Sequence, residues 1–217
     1  MNNTFSAIYQ DTMNLQKEIA KKVVTNDNIL LKKQINYVCG VDVSYKKDIA
    51  YCSAVIIKKN SLESIEFVNT IHSVTQPYIP GLFMLREAAP IIDTLKLLKS
   101  PYDALLIDGH GQLHPRRCGL ACYLGVVLDK PTIGIAKSML CGVQRKDQFI
   151  EIEGDILGFR ITTKRANKCL YVSIGHKLSL QSAIQLSKDL IKDVQWIPEP
   201  LRIADINSKN KSNFIQD

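Results

Sequence analysis

No CxxC pair occurs in the chain, which excludes a zinc ribbon, whose ligands arrive as closely spaced thiol pairs. The six cysteines are scattered instead, at positions 39, 52, 118, 122, 141 and 169. They are expected to be buried free thiols in a reducing compartment. The alternative is a metal or redox pair of Cys118 and Cys122, which could share a helix face. No apolar run approaches the length needed to span a bilayer, so no membrane partner is expected. The opening residues MNNTFSAIYQ have no basic segment leading into an apolar core, which argues against a secretory leader and for a cytoplasmic protein. Repeats, linkers and low-complexity blocks are also lacking. A single α/β domain over residues 1–217 is expected, with 206–217 a polar tail that frays.

With 217 residues, 46% of them hydrophobic and 23% charged, the chain can bury a core of its own. Its net charge of +7 favours a polyanionic partner such as nucleic acid, although many basic proteins have none. Residues 5–25 carry Ile8, Leu15, Ile19 and Val23 at helical spacing on one apolar face. Segments 37–45, 49–58 and about 64–74 read as three strands separated by short polar breaks, an antiparallel meander. The turn PYIPG (77–81) leads into a helix over 82–98, in which Pro90 predicts a kink or a break. DALLID (103–108) reads as a buried strand, followed by a helix from Pro115 to about Leu128 and a second buried strand, TIGIA (132–136). Strand, helix and strand in that order imply a parallel crossover. Short strands are expected at 149–153, 157–163 and 169–175, and a Ser-capped helix over 179–193.

Three acids stand at informative places. Asp42 lies mid-strand in GVDVSY, where alternation sends Val41 and Val43 to one face and the acid to the other. Asp108 ends a strand, just before a Gly-His-Gly turn, and Glu87 lies in the helix between them. An ionised acid in a central strand is costly to bury unless it is paired or bound to a metal. Three converging acids would repel one another unless a hard cation sat between them, and oxygen-only ligation points to Mg²⁺ or Mn²⁺. The plainer reading pairs Glu87 with Arg86 or a lysine on a solvated face and makes Asp108 the cap of a turn.

GVDVSY (40–45), PYIPGLFMLREAAPI (77–91), DGHGQLHPRRCGLACYLGVVLDKPTIGIAKS (108–138) and PEPLRIAD (198–205) resemble, in order, the characteristic blocks of the endonuclease V family of deoxyinosine-directed endonucleases. The resemblance implies an RNase H-like fold: a mixed five-stranded sheet, three antiparallel strands followed by parallel ones, flanked by helices. It implies a DNA-repair enzyme cutting the second phosphodiester 3′ of hypoxanthine, leaving 3′-hydroxyl and 5′-phosphate ends. DNA containing deoxyinosine is the implied partner, with inosine-containing RNA left open, and a monomer is the default. Asp42, Asp108 and Glu87 would be metal carboxylates, joined by Asp205. His114 would stand near a second metal or the scissile phosphate. Lys137 would orient the nucleophilic water or face charge growing on the phosphate. That chemistry suits two Mg²⁺ ions, which can stabilise both ends of an in-line displacement, with Mn²⁺ as a substitute.

Two prolines stiffen the loop that holds Tyr78, and in the family this loop is a wedge filling the space a damaged base vacates. The resemblance further implies a tight pocket where main-chain groups near Gly81, Phe83 and Gly109 read the O6 and N1–H of hypoxanthine, with Pro80, Gly111 and Leu140 also against the substrate. His110 is either structural or indirectly active. Arg116 and Arg117, expected in the first helical turn, contact phosphate or pair with nearby acids. Two other readings compete. One is the nuclease module of an excision-repair protein, which normally sits in a longer chain. The other is a binding module without turnover, which would not need acids that repel phosphate.

Overall fold

The computed structural model describes residues 2–29, 33–74, 76–163, 168–193, 195–210 and 214. Helix α1 (Asn2–Ala20) precedes the meander β1 (Tyr37–Lys46), β2 (Ile49–Lys58) and β3 (Glu63–Ser73). Then come α2 (Phe83–Lys96), β4 (Ala104–Asp108), α3 (Leu120–Leu128) and β5 (Thr132–Ala136). A second meander comes next, of β6 (Val143–Gln144), β7 (Phe149–Ile152), β8 (Asp155–Thr162) and β9 (Cys169–His176), before α4 (Leu180–Asp189) and α5 (Glu199–Lys209).

All these strands join one nine-stranded sheet in the order β3-β2-β1-β4-β5-β9-β8-β7-β6. The implied five-stranded sheet is therefore too small. Strands β1 to β5 have the implied arrangement, with β1 antiparallel to β2 and parallel to β4, and β4 parallel to β5. Strand β9 then pairs antiparallel with the free side of β5, and β8, β7 and β6 continue from it in antiparallel register. An open ladder edge is a template for pairing, and the antiparallel pairing of β9, β8, β7 and β6 extends the sheet from it.

Alternation divides the core. On one face Val38, Leu106 and Ile133 pack with Ala183 and Ile184 of α4 and Leu201 and Ala204 of α5. On the other, Cys39, Val41, Leu105 and Ile107 meet Met84, Ala88 and Ile91 of α2 and Leu120 and Leu124 of α3. Burial on both faces is why β4 and β5 read as unbroken apolar runs.

Several elements depart from what patterning predicts. The third helix begins at Leu120 rather than Pro115, and Arg117 adopts a left-handed φ of 55°. Here tertiary hydrogen bonds override propensity: Gly119 N–H donates to the Gly111 carbonyl at 2.9 Å and Ala121 N–H to that of His110 at 3.1 Å. Helix α2 continues through Pro90, whose carbonyl accepts from the Thr94 hydroxyl at 2.7 Å. In α1 the buried stripe is Thr12, Gln16 and Ile19, while Ile8 and Leu15 are exposed. The tail expected to fray from residue 206 remains helical to Lys209, with Ser208 buried. Ser179 caps α4 as expected, accepting from Ser182 N–H at 3.1 Å.

Candidate active site

Register builds the site. Val41 of β1 lies beside Ile107 of the parallel β4, so the next residues, Asp42 and Asp108, emerge side by side: Asp42 inside β1 just past the end of its parallel pairing, Asp108 at the carboxyl end of β4. Asp108 in turn lies beside Ile135 of β5, with Lys137 just past the end of that strand. Carboxyl ends of parallel strands are where open α/β sheets place ligands. Helix α5 adds a fourth group by crossing β1 at Gly40, where an added Cβ would stand 2.5 Å from the carbonyl carbon of Pro200. That approach brings Asp205 and Ser208 over Asp42.

Carboxylate oxygens of Asp42, Asp108 and Asp205 lie within 4.8 Å of one another. Ser208 donates to Asp42 Oδ2 at 2.6 Å, and the Ser208 carbonyl accepts from Ser44 Oγ at 2.5 Å. The Lys137 ammonium bridges the cluster, 2.5 Å from Asp108 and 3.6 Å from Asp205, and Lys209 pairs with Asp205 at 2.6 Å. Burial pushes Asp42 up to about 6, and Asp108 and Asp205 add to the shift while Ser208 and Lys137 oppose it. For Lys137, burial works against the charge, but the surrounding carboxylates prevail and raise its pKa. An all-oxygen donor set whose members repel one another fits a hard divalent cation.

Glu87 stands apart from this triplet. It is buried, accepts from the Tyr45 hydroxyl at 3.1 Å, and lines a small cavity with Asp42 and Asp108. Burial pushes it up to about 8; the two aspartates add to this and the Tyr45 bond opposes it. Arg86 stacks on the Tyr45 ring, 4.0 Å from its centroid, and forms no ion pair with Glu87 among the described residues. The solvated-face reading of Glu87 therefore fails.

A second cavity, of about 230 Å³, opens beside the carboxylates and shares Asp108 and Lys137 with them. Tyr78, Pro80, Gly81, Phe83, Gly109 and Leu140 all line it. Tyr78 is 58% exposed and meets Phe83 edge-on at 4.9 Å. Gly111 does not line this cavity. It packs against β9, where a Cβ would come within 2.0 Å of the Ile174 carbonyl oxygen, so its lack of a side chain serves loop packing. Gly109 N–H is already used, donating to the Ile135 carbonyl at 3.0 Å.

His114 is buried, and among the described contacts it makes no hydrogen bond to the carboxylates. Its Nδ1 accepts from Arg116 N–H at 3.2 Å, so Nε2 carries the proton and donates to the Gly81 carbonyl at 3.0 Å. Burial lowers its pKa to about 4, which keeps the ring neutral. His110 lines the cavity and is also lowered to about 4 by burial. Neither arginine occupies a first helical turn. Arg116 turns inward to Gln16 Oε1 at 2.6 Å and the Gly81 carbonyl at 2.8 Å, and Arg117 pairs with Asp155 at 2.9 Å and Glu153 at 3.5 Å. All six cysteines are free, and Cys118 and Cys122 are buried.

Residues that the sequence does not single out complete the site: Ser208 on Asp42, Tyr45 on Glu87 and Gln16 behind the cavity. Gln16 lies on the buried stripe of α1, where only its polarity marks it, and Ser208 falls in a segment whose polar composition reads as a fraying tail.

The family described as Endonuclease V has a sequence model that matches residues 17–206. An endonuclease V from Thermofilum pendens is 39% identical over 193 residues, 87% of this chain and 82% of that protein. One from Dictyoglomus thermophilum is 38% identical over 213 residues, covering 95% and 92%. The crystal structure of Ciona intestinalis endonuclease V with a 24mer DNA containing an inosine followed by a ribo-adenosine superposes with a TM-score of 0.84. That match has 27% identity and covers 97% of this chain and 98% of that one.

Proposed function

The chain belongs to the endonuclease V family, and on that premise we propose that it is a DNA-repair endonuclease acting on deaminated adenine. It takes hypoxanthine, as deoxyinosine, into the cavity behind Tyr78 and hydrolyses the second phosphodiester 3′ to it, leaving 3′-hydroxyl and 5′-phosphate ends. Mg²⁺ is the proposed cofactor, with Mn²⁺ as a substitute, and inosine-containing RNA is a second substrate class. The proposed framework is RNase H-like, formed by β1 to β5, and the proposed working unit is a cytoplasmic monomer.

The observation that carries this reading is the sharing of Asp108 and Lys137 between the base-sized cavity and the carboxylate cluster. Recognition and strand cleavage thereby sit next to one another. Asp42, Asp108 and Asp205 would hold Mg²⁺, with Glu87 behind them. When bound, the ion supplies positive charge for the non-bridging oxygens and the leaving alkoxide. Lys137 already faces this centre and adds a fixed charge where negative charge develops. Tyr78 is placed to fill the stack as the base swings out, a movement that costs least for a wobble-paired base. Specificity comes from the base edge. Hypoxanthine offers N1–H and O6, whereas adenine carries an acceptor at N1 and guanine brings an amine that needs room and a partner.

The test is a labelled duplex with one central deoxyinosine, incubated with the protein in Mg²⁺ or in EDTA. The same duplex with guanine and an inosine-containing single-stranded RNA run alongside. Cleavage of the inosine duplex at one position, only with Mg²⁺, is the expected result. Equal cutting of the guanine duplex, or cutting in EDTA, sinks the reading.

A further inference from the structure

The Gly81 carbonyl is held by more donors than a turn needs. Gln16 Nε2 lies 3.0 Å from it, His114 Nε2 3.0 Å and Arg116 Nη2 2.8 Å. A carbonyl has two lone pairs, so this oxygen is saturated from behind and has none left for a base in the cavity. Gln16 organises the group. It is 1% exposed, its Nε2 also donates to the Cys118 carbonyl at 2.9 Å, and its Oε1 accepts from Arg116 Nε at 2.6 Å. One amide from α1 thus joins the loop before α2 to the loop before α3 and sets the direction of the Arg116 guanidinium.

The grip matters because Gly81 leads directly into α2. Gly81 has a left-handed φ of 78°, and Leu82 is the N-cap of α2 with no side-chain cap. Leu82 N–H donates to the Ile79 carbonyl at 2.9 Å and Leu85 N–H to that of Leu82 at 3.1 Å. The first-turn donors between them, on Phe83 and Met84, are of the kind an uncapped helix presents to an acceptor, and Phe83 lines the cavity. Fixing the plane of the Gly81–Leu82 peptide fixes the direction in which that turn faces.

We propose that Gln16 is a positioning residue for base recognition: it clamps the Gly81 carbonyl so that the first turn of α2 meets O6 of the extruded base, and its loss degrades discrimination rather than bond cleavage. This rests on the functional reading above. The experiment measures, for wild type, Gln16→Leu and Gln16→Glu, dissociation constants in Ca²⁺ for an inosine and a guanine duplex. Single-turnover rates at saturating inosine duplex in Mg²⁺ complete the set. Gln16→Leu removes all three bonds; Gln16→Glu keeps the acceptor for Arg116 and cannot donate to Gly81.

Both variants are expected to bind the inosine duplex about tenfold to a hundredfold more weakly, as expected for losing buried hydrogen bonds from a preorganised site. Guanine-duplex affinity stays unchanged, and the saturated rate stays within about threefold of wild type. A role confined to folding would instead lower the active fraction on every substrate alike, and titrated active sites read that directly. Equal losses on both duplexes, or none on either, overturn the proposal. A wild-type protein that binds both duplexes alike removes the functional reading and this inference with it. A discriminating wild type beside equally discriminating variants removes the inference alone. If Gln16→Leu does not fold, Gln16→Glu decides by the same ratios.

Discussion

The carboxylates of the cluster and the lysine that bridges them ask different questions of substitution. Asp42→Asn and Asp108→Asn each remove a candidate ligand while keeping shape and size. Each is expected to lower cleavage in Mg²⁺ by at least about a thousandfold with circular dichroism unchanged; full activity of either variant would remove these residues from the metal site. Lys137 poses a finer question, because its ammonium bridges Asp108 and Asp205 where a cation would also be drawn. If it faces developing charge, Lys137→Met costs about 10²–10³ in single-turnover rate with little change in duplex affinity. If it only steadies the carboxylates, the loss takes the form of weakened metal affinity. A Mg²⁺ titration of the variant separates the two, and recovery of the wild-type rate at saturating Mg²⁺ would exclude the catalytic role.

The two elements that bring recognition to the chemistry are the PYIPG turn and α5. Tyr78→Ala is expected to weaken binding to an inosine duplex about tenfold to a hundredfold, the worth of a base–aromatic stack, and to change an inosine-containing single strand much less. Equal losses on both would make Tyr78 part of the cavity wall. For α5 the critical point is Gly40, since a methyl group there would collide with the backbone at Pro200. Gly40→Ala should push the helix off β1, carry Asp205 and Ser208 away from Asp42, and cut cleavage at least about tenfold through a residue that touches no substrate. Unchanged kinetics would show that α5 can shift without disturbing the cluster. These elements also mark what the sequence shows and what it hides. Strand and crossover order is legible because β1, β2, β4 and β5 alternate or run apolar in step with their burial, which marks Asp42 inside one strand and Asp108 at the end of another; that the two strands are neighbours comes from the parallel pairing of β1 with β4. The start of α3 and the polar struts are not legible, although the Ser179 cap of α4 is. Pro115 looks like a helix opening, yet the 110–119 loop folds back on itself. Gln16, Ser208 and Tyr45 acquire roles only from segments remote in sequence, which no local period encodes.

At the scale of the whole molecule, the cost of assembling the site should appear in the pH dependence of global stability. Glu87 is held at about 8 within the fold against an ordinary value of 4.5. Between those values the folded protein keeps a proton that the unfolded chain releases. Stability therefore falls as pH rises through this window and levels off above about 8. Asp42, raised from 3.8 to about 6, acts in the same direction at lower pH. His110 and His114, lowered from 6.5 to about 4, act in the opposite direction, because the unfolded chain binds protons that the fold refuses. Stability rises with pH between about 4 and 6.5 on their account and masks the aspartate there. From pH 6.5 to 8 the histidines are silent and Glu87 dominates the site. One proton is worth about 1.4 kcal/mol per pH unit, so the ceiling over this window is about 2 kcal/mol, or about 4–8 °C for a domain of this size. The melting temperature in EDTA should thus be lower at pH 8 than at pH 6.5, and Glu87→Gln should lose most of that slope. Mg²⁺ should restore more stability at pH 8 than at pH 6.5, because a cation among the carboxylates relieves the repulsion that ionisation creates. A wild-type slope that persists undiminished in Glu87→Gln would place the titrating group elsewhere and show that the site's buried charge is compensated without metal.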